Sequence, residues 1–214
     1  MHDIVDRLVS IKKEIQSNNS QAEIVAISKT FPLNKILPLI NFGHLNFGEN
    51  KVQEAVSKWT DIKKDFNNIK LHFVGKLQTN KVKYALPLFD YIHSLDTIKL
   101  AEKIANEQQK KNFKPKIFIQ VNIGKETQKN GVEIDKLEQF YSECKKNYDL
   151  NIVGLMCLPP NEKNPNEYFS QMQILKNKLN LSDLSMGMTN DYIEALNYEA
   201  TFVRIGSKIF GERG

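Results

Sequence analysis

Long apolar runs are missing from this sequence of 214 residues. The longest, "IVAI" at 24–27 and "IFIQVNI" at 117–123, fall far short of the roughly 20 residues that cross a bilayer. The opening "MHDIVDRL" lacks the apolar segment of a signal peptide, so a soluble cytoplasmic protein without a membrane partner is expected. Cysteine is scarce: Cys144 and Cys157 form no CxxC pair, which excludes a disulfide framework and points to two small buried thiols. The four histidines show no ligand spacing, so no metal site is expected. Neither a GxGxxG fingerprint nor a GxxxxGKS phosphate loop occurs, and there is no Gly/Ser/Pro-rich linker, heptad repeat or low-complexity tract. One domain spanning 1–214 is expected. Excess charge of one sign is small, 30 basic against 25 acidic residues. Lysines alternate with acids along "DIKKDF" and "KLAEKIANEQQKK", a pattern of solvated helix faces and not of a nucleic-acid-binding surface.

Alternating strand and helix patterns are what the sequence has in plenty. Ile4, Leu8, Ile11 and Ile15 recur on one face of a first helix. Eight strand patterns follow: "IVAIS", "HLNFGE", "KLHFVG", "FDYIHSL", "KPKIFIQVNI", "LNIVGLMCL", "DLSMG" and "TFVRIG". Helical patterns separate them. One opens at Pro32 in its first turn and is kinked or split at Pro38; another runs as a single stripe of Val52, Ala55, Val56, Trp59, Ile62 and Phe66; a third takes Asp96 as its N-cap. Strict β-then-α order argues for a parallel sheet covered by helices, and the count of eight for a closed (β/α)₈ TIM barrel with one extra N-terminal helix. A doubly wound open sheet is the alternative.

In such a barrel, chemistry gathers at the C-terminal strand ends. Here those ends carry Lys29, Glu49 with Asn50, His72 to Gly75, Ser94, Asn122, Met156, Ser185 to Gly187, and Arg204 to Gly206. The loops after the seventh and eighth strands, "SMGMTND" and "RIGSKIFG", combine glycine with hydroxyls and run into helices. Such loops suit a phosphate: glycine admits close backbone approach, helix-start N–H groups attract an anion, and Ser or Thr adds a donor. Ser185, Gly187, Met188, Thr189, Gly206 and Ser207 are therefore candidate phosphate-side residues. A lysine partly removed from water at the first strand end can attack an aldehyde as the neutral amine. A ligand with both groups is pyridoxal 5'-phosphate (PLP), and Arg204 is the candidate partner of its ring nitrogen. As a permanent cation it would leave that nitrogen unprotonated and weaken the ring as an electron sink.

Each residue has a plainer reading. Lys29 could end a strand with a charge, His72 between Leu71 and Phe73 could be a hydrogen-bonded core histidine, and Arg204 could pair with a buried carboxylate. The glycines could only close helix–strand turns.

Eight stretches also resemble the pyridoxal phosphate homeostasis proteins, single-domain relatives of the alanine racemase barrel: "AISKTFP", "NFGENKVQEA", "LHFVGKLQTNK", "IHSLD", "QVNIGKETQKNG", "GLMCLPP", "LSMGMTNDYIEAL" and "VRIGSKIFGER". The resemblance implies a fold type III barrel holding PLP as an imine on Lys29. Asn50 and His72 would line the cofactor, Arg204 would approach its ring nitrogen, and Ser185, Gly206 and Ser207 would help hold its phosphate. Two positions depart from the family: Thr189 stands where serine is common, and Ile193 where glutamate is common, the acid here being Glu194. The implied role is to buffer or deliver PLP, with PLP-dependent apo-enzymes as recipients and a monomer or weak dimer as the working form. A racemase of this class takes its second acid/base from a tyrosine of an added β-domain, and this sequence ends directly after its eighth unit. A racemase of low activity is the alternative function, and a basic nucleic-acid module a third.

Overall fold

The computed structural model describes residues 3–124, 126, 130–160 and 164–212. Residues 125 and 127–129 of the stretch "QVNIGKETQKNG", and residue 213 of the last stretch, lie outside the described residues. The eight strands are β1 Glu23–Ile27, β2 Asn46–Glu49, β3 Lys70–Phe73, β4 Tyr91–Leu95, β5 Lys116–Val121, β6 Asn151–Cys157, β7 Asp183–Met188 and β8 Phe202–Ile205. They pair in parallel in sequence order, and β8 returns to β1, with Arg204 opposite Val25. The closed barrel excludes the open doubly wound sheet.

Ten α-helices are described, besides two short 3-10 turns: α1 Asp3–Ser17, α2 Leu33–Asn41, α3 Val52–Trp59, α4 Ile62–Asp65, α5 Val82–Ala85, α6 Ile98–Lys111, α7 Leu137–Asn147, α8 Pro165–Lys178, α9 Tyr192–Leu196 and α10 Ser207–Phe210. α1 buries Ile4, Val5, Leu8, Ile11 and Ile15, each worth about 1.5–3 kcal/mol gross, which keeps this extra helix docked. Three helix starts and breaks differ from expectation. α2 runs unbroken through Pro38, with Pro32 extended at its N-cap position and Leu33 as its first residue. The apolar stripe from Val52 to Phe66 divides into α3 and α4. Thr60 Oγ1 bonds back to the Val56 carbonyl at 2.6 Å, and the Thr60-Asp61 pair favours helix ends over interiors. The cap of α6 is Thr97, whose hydroxyl accepts the Leu100 N–H, and not Asp96.

Apolar side chains fall into two layers. The larger lies between strands and helices and includes Leu8, Ile36, Trp59, Phe89 and Phe169. The smaller, Val25, Ile27, Phe118, Met156 and Phe202, sits on the inward strand faces. The usual barrel interior is layered with branched aliphatics. Here much of it is polar: His72, His93, Ser185 and Arg204 are all buried. Cys144 and Cys157 are buried free thiols, and burial pushes each up to about 12.

Candidate functional site

The strand ends open on a cavity of about 640 Å³, within the usual size range of small-molecule sites. Lys29, Asn50, Met188, Thr189, Arg204, Gly206 and Ser207 line it, together with Ile27, Phe31, Leu158 and Asp191. Seven of the ten sequence-derived candidates therefore meet in one place.

The loop carrying Lys29 is held from two sides. Thr30 has φ +68°, a left-handed conformation that a β-branched residue adopts only when its surroundings impose it. Its N–H donates to Glu54 Oε1 at 2.7 Å, and the next residue, Phe31, stacks on Phe210 of α10 at 4.9 Å. Beneath the loop is Glu49, fully buried at the end of β2. Its Oε1 accepts from Ser28 Oγ at 2.8 Å, Lys58 Nζ at 2.9 Å and Trp59 Nε1 at 3.0 Å. Lys58 also donates to the Ser28 carbonyl at 3.0 Å, so the cation ties the start of this loop to α3. A buried carboxylate needs this many donors, because an uncompensated charge there costs several kcal/mol.

Opposite, the β7–α9 and β8–α10 loops face each other. Ser207 Oγ donates to Thr189 Oγ1 at 3.4 Å, which puts two hydroxyls side by side at the cavity wall. Gly187 has φ +86°, and a Cβ there would lie 2.7 Å from that of Ala195 and 2.9 Å from the Tyr192 Cα. It is the residue that lets α9 pack directly on the strand end, and it does not line the cavity. Met188 N–H donates to Asp191 Oδ1 at 2.6 Å, shaping the loop; burial raises the Asp191 carboxyl from its ordinary range. An added Cβ at Gly206 would rest on Ile27 at 3.5 Å, so the backbone there stands in ordinary contact with the cavity wall.

Arg204 reaches the cavity floor from the barrel interior. NH1 donates to Ser185 Oγ and NH2 to the Cys157 carbonyl, at 2.8 and 2.7 Å. Burial lowers its pKa from the ordinary value, opposed by Cys157 and Asp191, and a guanidinium so placed stays a cation. Among the described residues no carboxylate bonds to it, in contrast to the buried-pair reading.

Besides Gly187, two candidates lie elsewhere. His72 is fully buried below the mouth, bonded to Asn46 Oδ1 and His93 Nε2, so it takes the place of a core histidine and not of a cavity-lining one. Ser185 is likewise fully buried, bridging His93 and Arg204 where the phosphate reading put it at the mouth. Strand periodicity tells which face a side chain takes but not its depth in the barrel, so the sequence left His72 open between a core and a cavity-lining place, and put Ser185 nearer the mouth than it lies. Glu49, Glu54, Lys58 and Asp191 were not picked out for their roles in the sequence; a glutamate after "NFG" in an apolar strand was the available signal for the first.

The residues present fit a phosphorylated aldehyde on a ring. Asn50 Oδ1 is buried with no hydrogen-bond partner among the described residues, so the cavity wall holds a polar group with unused capacity. A lysine, a guanidinium and a hydroxyl pair supply the remaining chemistry. Among the described residues no helix is long and apolar enough to cross a membrane.

The family profile of the alanine racemase N-terminal domain matches residues 4–214. A pyridoxal phosphate homeostasis protein of Aquifex aeolicus is 36% identical over 219 residues, covering 98% of this chain and 95% of that protein. One from Escherichia coli K12 is 30% identical over 233 residues, covering 100% and 98%. Among solved structures, PipY of Synechococcus elongatus without PLP superposes with a TM-score of 0.90 at 30% identity, covering 97% of this chain and 100% of that one. The same protein with PLP bound gives 0.88. An alanine racemase of Clostridium difficile shares the fold, with a TM-score of 0.79 at 10% identity over 100% of this chain and 57% of that one. With profile, relatives and barrel in agreement over nearly its whole length, the chain belongs to the alanine racemase N-terminal domain family and, within it, to the pyridoxal phosphate homeostasis proteins.

Proposed function

We propose that this protein binds PLP in the mouth of its barrel and serves PLP homeostasis, holding the cofactor covalently through Lys29 and releasing it to enzymes that need it. One observation carries the reading: Lys29, Arg204 and the Thr189–Ser207 hydroxyl pair line a single cavity in a chain whose 30% identical relative was solved with PLP bound. Bound PLP supplies an electrophilic aldehyde carbon and a ring that can accept electrons. Lys29 would hold it covalently through its amine at that carbon. Thr189 and Ser207, with the backbone around Gly206, would hold its phosphate, Asn50 would turn its unused amide capacity to it, and Arg204 would face its ring nitrogen.

Holding is favoured over turnover by the composition of the wall. Among the described lining residues there is no tyrosine or histidine to act as a second acid/base; of the two carboxylates there, Asp191 is engaged with Met188 N–H, which leaves Glu212. An Arg204 cation also leaves the ring a weaker electron sink. Delivery to PLP-dependent apo-enzymes, and a monomer or weak dimer as the working form, belong to the same proposal.

Borohydride reduction after incubation with PLP, followed by peptide mass mapping, tests it. The expected result is a pyridoxyl group on Lys29, with loss of the bound-cofactor absorbance in Lys29→Ala. Labelling of another lysine alone, or of none, overturns the covalent reading, and amino-acid turnover that disappears in Lys29→Ala overturns the non-catalytic one.

A further inference from the structure

A chain of hydrogen bonds runs the length of the barrel interior. Starting at the mouth, Arg204 NH1 meets Ser185 Oγ at 2.8 Å, Ser185 Oγ meets His93 Nδ1 at 2.8 Å, and His93 Nε2 meets His72 Nδ1 at 2.9 Å. His72 Nε2 then meets Asn46 Oδ1 at 3.0 Å, and Asn46 Nδ2 meets Glu23 Oε2 at 2.6 Å, at the exposed opposite end. Both imidazoles are fully buried and clamped in plane. His72 stacks on Tyr91 at 4.2 Å and 4°, and His93 on Phe118 at 4.4 Å and 13°.

With both rings neutral, the Glu23 end fixes the direction of every bond up to Ser185. A guanidinium only donates, so Ser185 Oγ accepts from Arg204. At the far end a carboxylate only accepts, so the Asn46 nitrogen faces Glu23 and its oxygen faces His72. His72 must therefore carry its proton on Nε2. Neutral His72 then accepts at Nδ1, which requires Nε2–H on His93 and leaves His93 Nδ1 to accept the Ser185 hydroxyl proton. Burial keeps both rings neutral, pushing His72 down to about 3 and His93 well below its ordinary value. With both rings neutral, the opposite polarity would set two acceptors against each other at Asn46, and one arrangement alone then satisfies all five bonds.

We propose that this one-way relay makes Ser185, His93, His72 and Asn46 positioning residues for Arg204, so that the guanidinium at the cavity floor is set from the opposite end of the barrel. The inference about the cofactor rests on the PLP reading above; the inference about Arg204 does not. Its physical content is that, among the described residues, Arg204 NH1 rests on Ser185 Oγ while NH2 rests on the Cys157 carbonyl, and the Ser185 hydrogen is committed only while the relay holds its polarity. Release of Asn46 lets His72, His93 and Ser185 turn over in sequence, and the hydroxyl lone pair that holds NH1 is no longer fixed.

The test uses the full chain and two variants remote from the cavity: Asn46→Ala, and Glu23→Ala at the exposed end, which leaves the packed interior untouched. Without cofactor, long-range ¹⁵N–¹H spectra should show His72 and His93 as neutral Nε2–H tautomers in the unsubstituted chain. The Arg204 Nε resonance should shift in both variants. A protonated ring, an Nδ1–H tautomer at either histidine, or an unmoved Arg204 signal overturns the relay. With PLP added, the half-saturation concentration should rise at least about threefold in Asn46→Ala, the scale of modest coupling between neighbouring groups. An unchanged value alongside the expected tautomers overturns the positioning role. Failure of the unsubstituted chain to bind PLP overturns the proposed function instead, and the Arg204 signal still decides the relay.

Discussion

Lys29 and Arg204 stand out in the sequence as cations in or at the end of apolar strands, but each alone also fits a plain structural role. It is their pairing with the distant Gly-hydroxyl loops on one barrel face that singles them out, and the structure brings both to one cavity. The depth of His72 and Ser185 was not fixed by the sequence, because inward residues one pleat apart differ in whether they meet solvent or core. Of the two readings open for His72, the buried hydrogen-bonded one is what the structure shows. The structure instead gives the buried histidines a measurable role in acid stability. Burial pushes His44 down to about 4 and His72 to about 3, and places His93 well below 6.5. Their folded pKa values are depressed, so the unfolded chain takes up their protons first as pH falls below about 6.5. Stability is present above that pH and is lost towards pH 4, at up to about 1.4 kcal/mol per pH unit for each histidine. Urea midpoints measured from pH 7.5 to 4.5 should fall most steeply below pH 6.5. His44→Gln, which keeps a donor for the Asn46 carbonyl, should flatten that slope by about one proton. A slope the same in the variant would remove His44 from this account.

Elements were read well where their apolar period was unbroken, as in α1, α6 and all eight strands, and less well where a polar side chain competed for backbone groups, as at Thr60 and Thr97. What no period could show is how α1 bears on the site. Lys208 of α10 donates to Glu14 of α1 at 2.8 Å and to the Tyr192 hydroxyl of α9 at 2.5 Å; Tyr192 also donates to Glu14. Glu14 therefore ties together the two short helices that follow the hydroxyl-bearing loops. Its carboxyl lies below the usual range because Lys208 and Tyr192 donate to it, against desolvation. Glu14→Ala should leave the barrel folded and raise amide exchange several-fold across 188–192 and 206–211, while β4 and β5 stay protected. Uniformly faster exchange would mean that the triangle supports the whole barrel and not these loops.

At the scale of the molecule, strict alternation of eight units was enough to read a closed barrel, whereas register was not, since it depends on close backbone contacts between strands. Gly154 marks one. A Cβ there would sit 2.1 Å from the Asp183 carbonyl oxygen, across the β6–β7 seam. Gly154→Val should push that seam apart and cost at least about 2 kcal/mol in urea unfolding, in the range of overpacking and backbone displacement. A midpoint within error of the unsubstituted chain would contradict the contact. The β1–β8 seam has a different consequence, for order in time. Lys29 follows the first strand and Arg204 belongs to the last, so the cavity's two cations become neighbours only when β8 docks against β1. During synthesis a ribosome must release every strand through β8 before this cavity exists, so the nascent protein offers its ligand no finished site before then. Loading is an event of the completed barrel, and a ligand that binds there favours the closed seam over its opening by mass action.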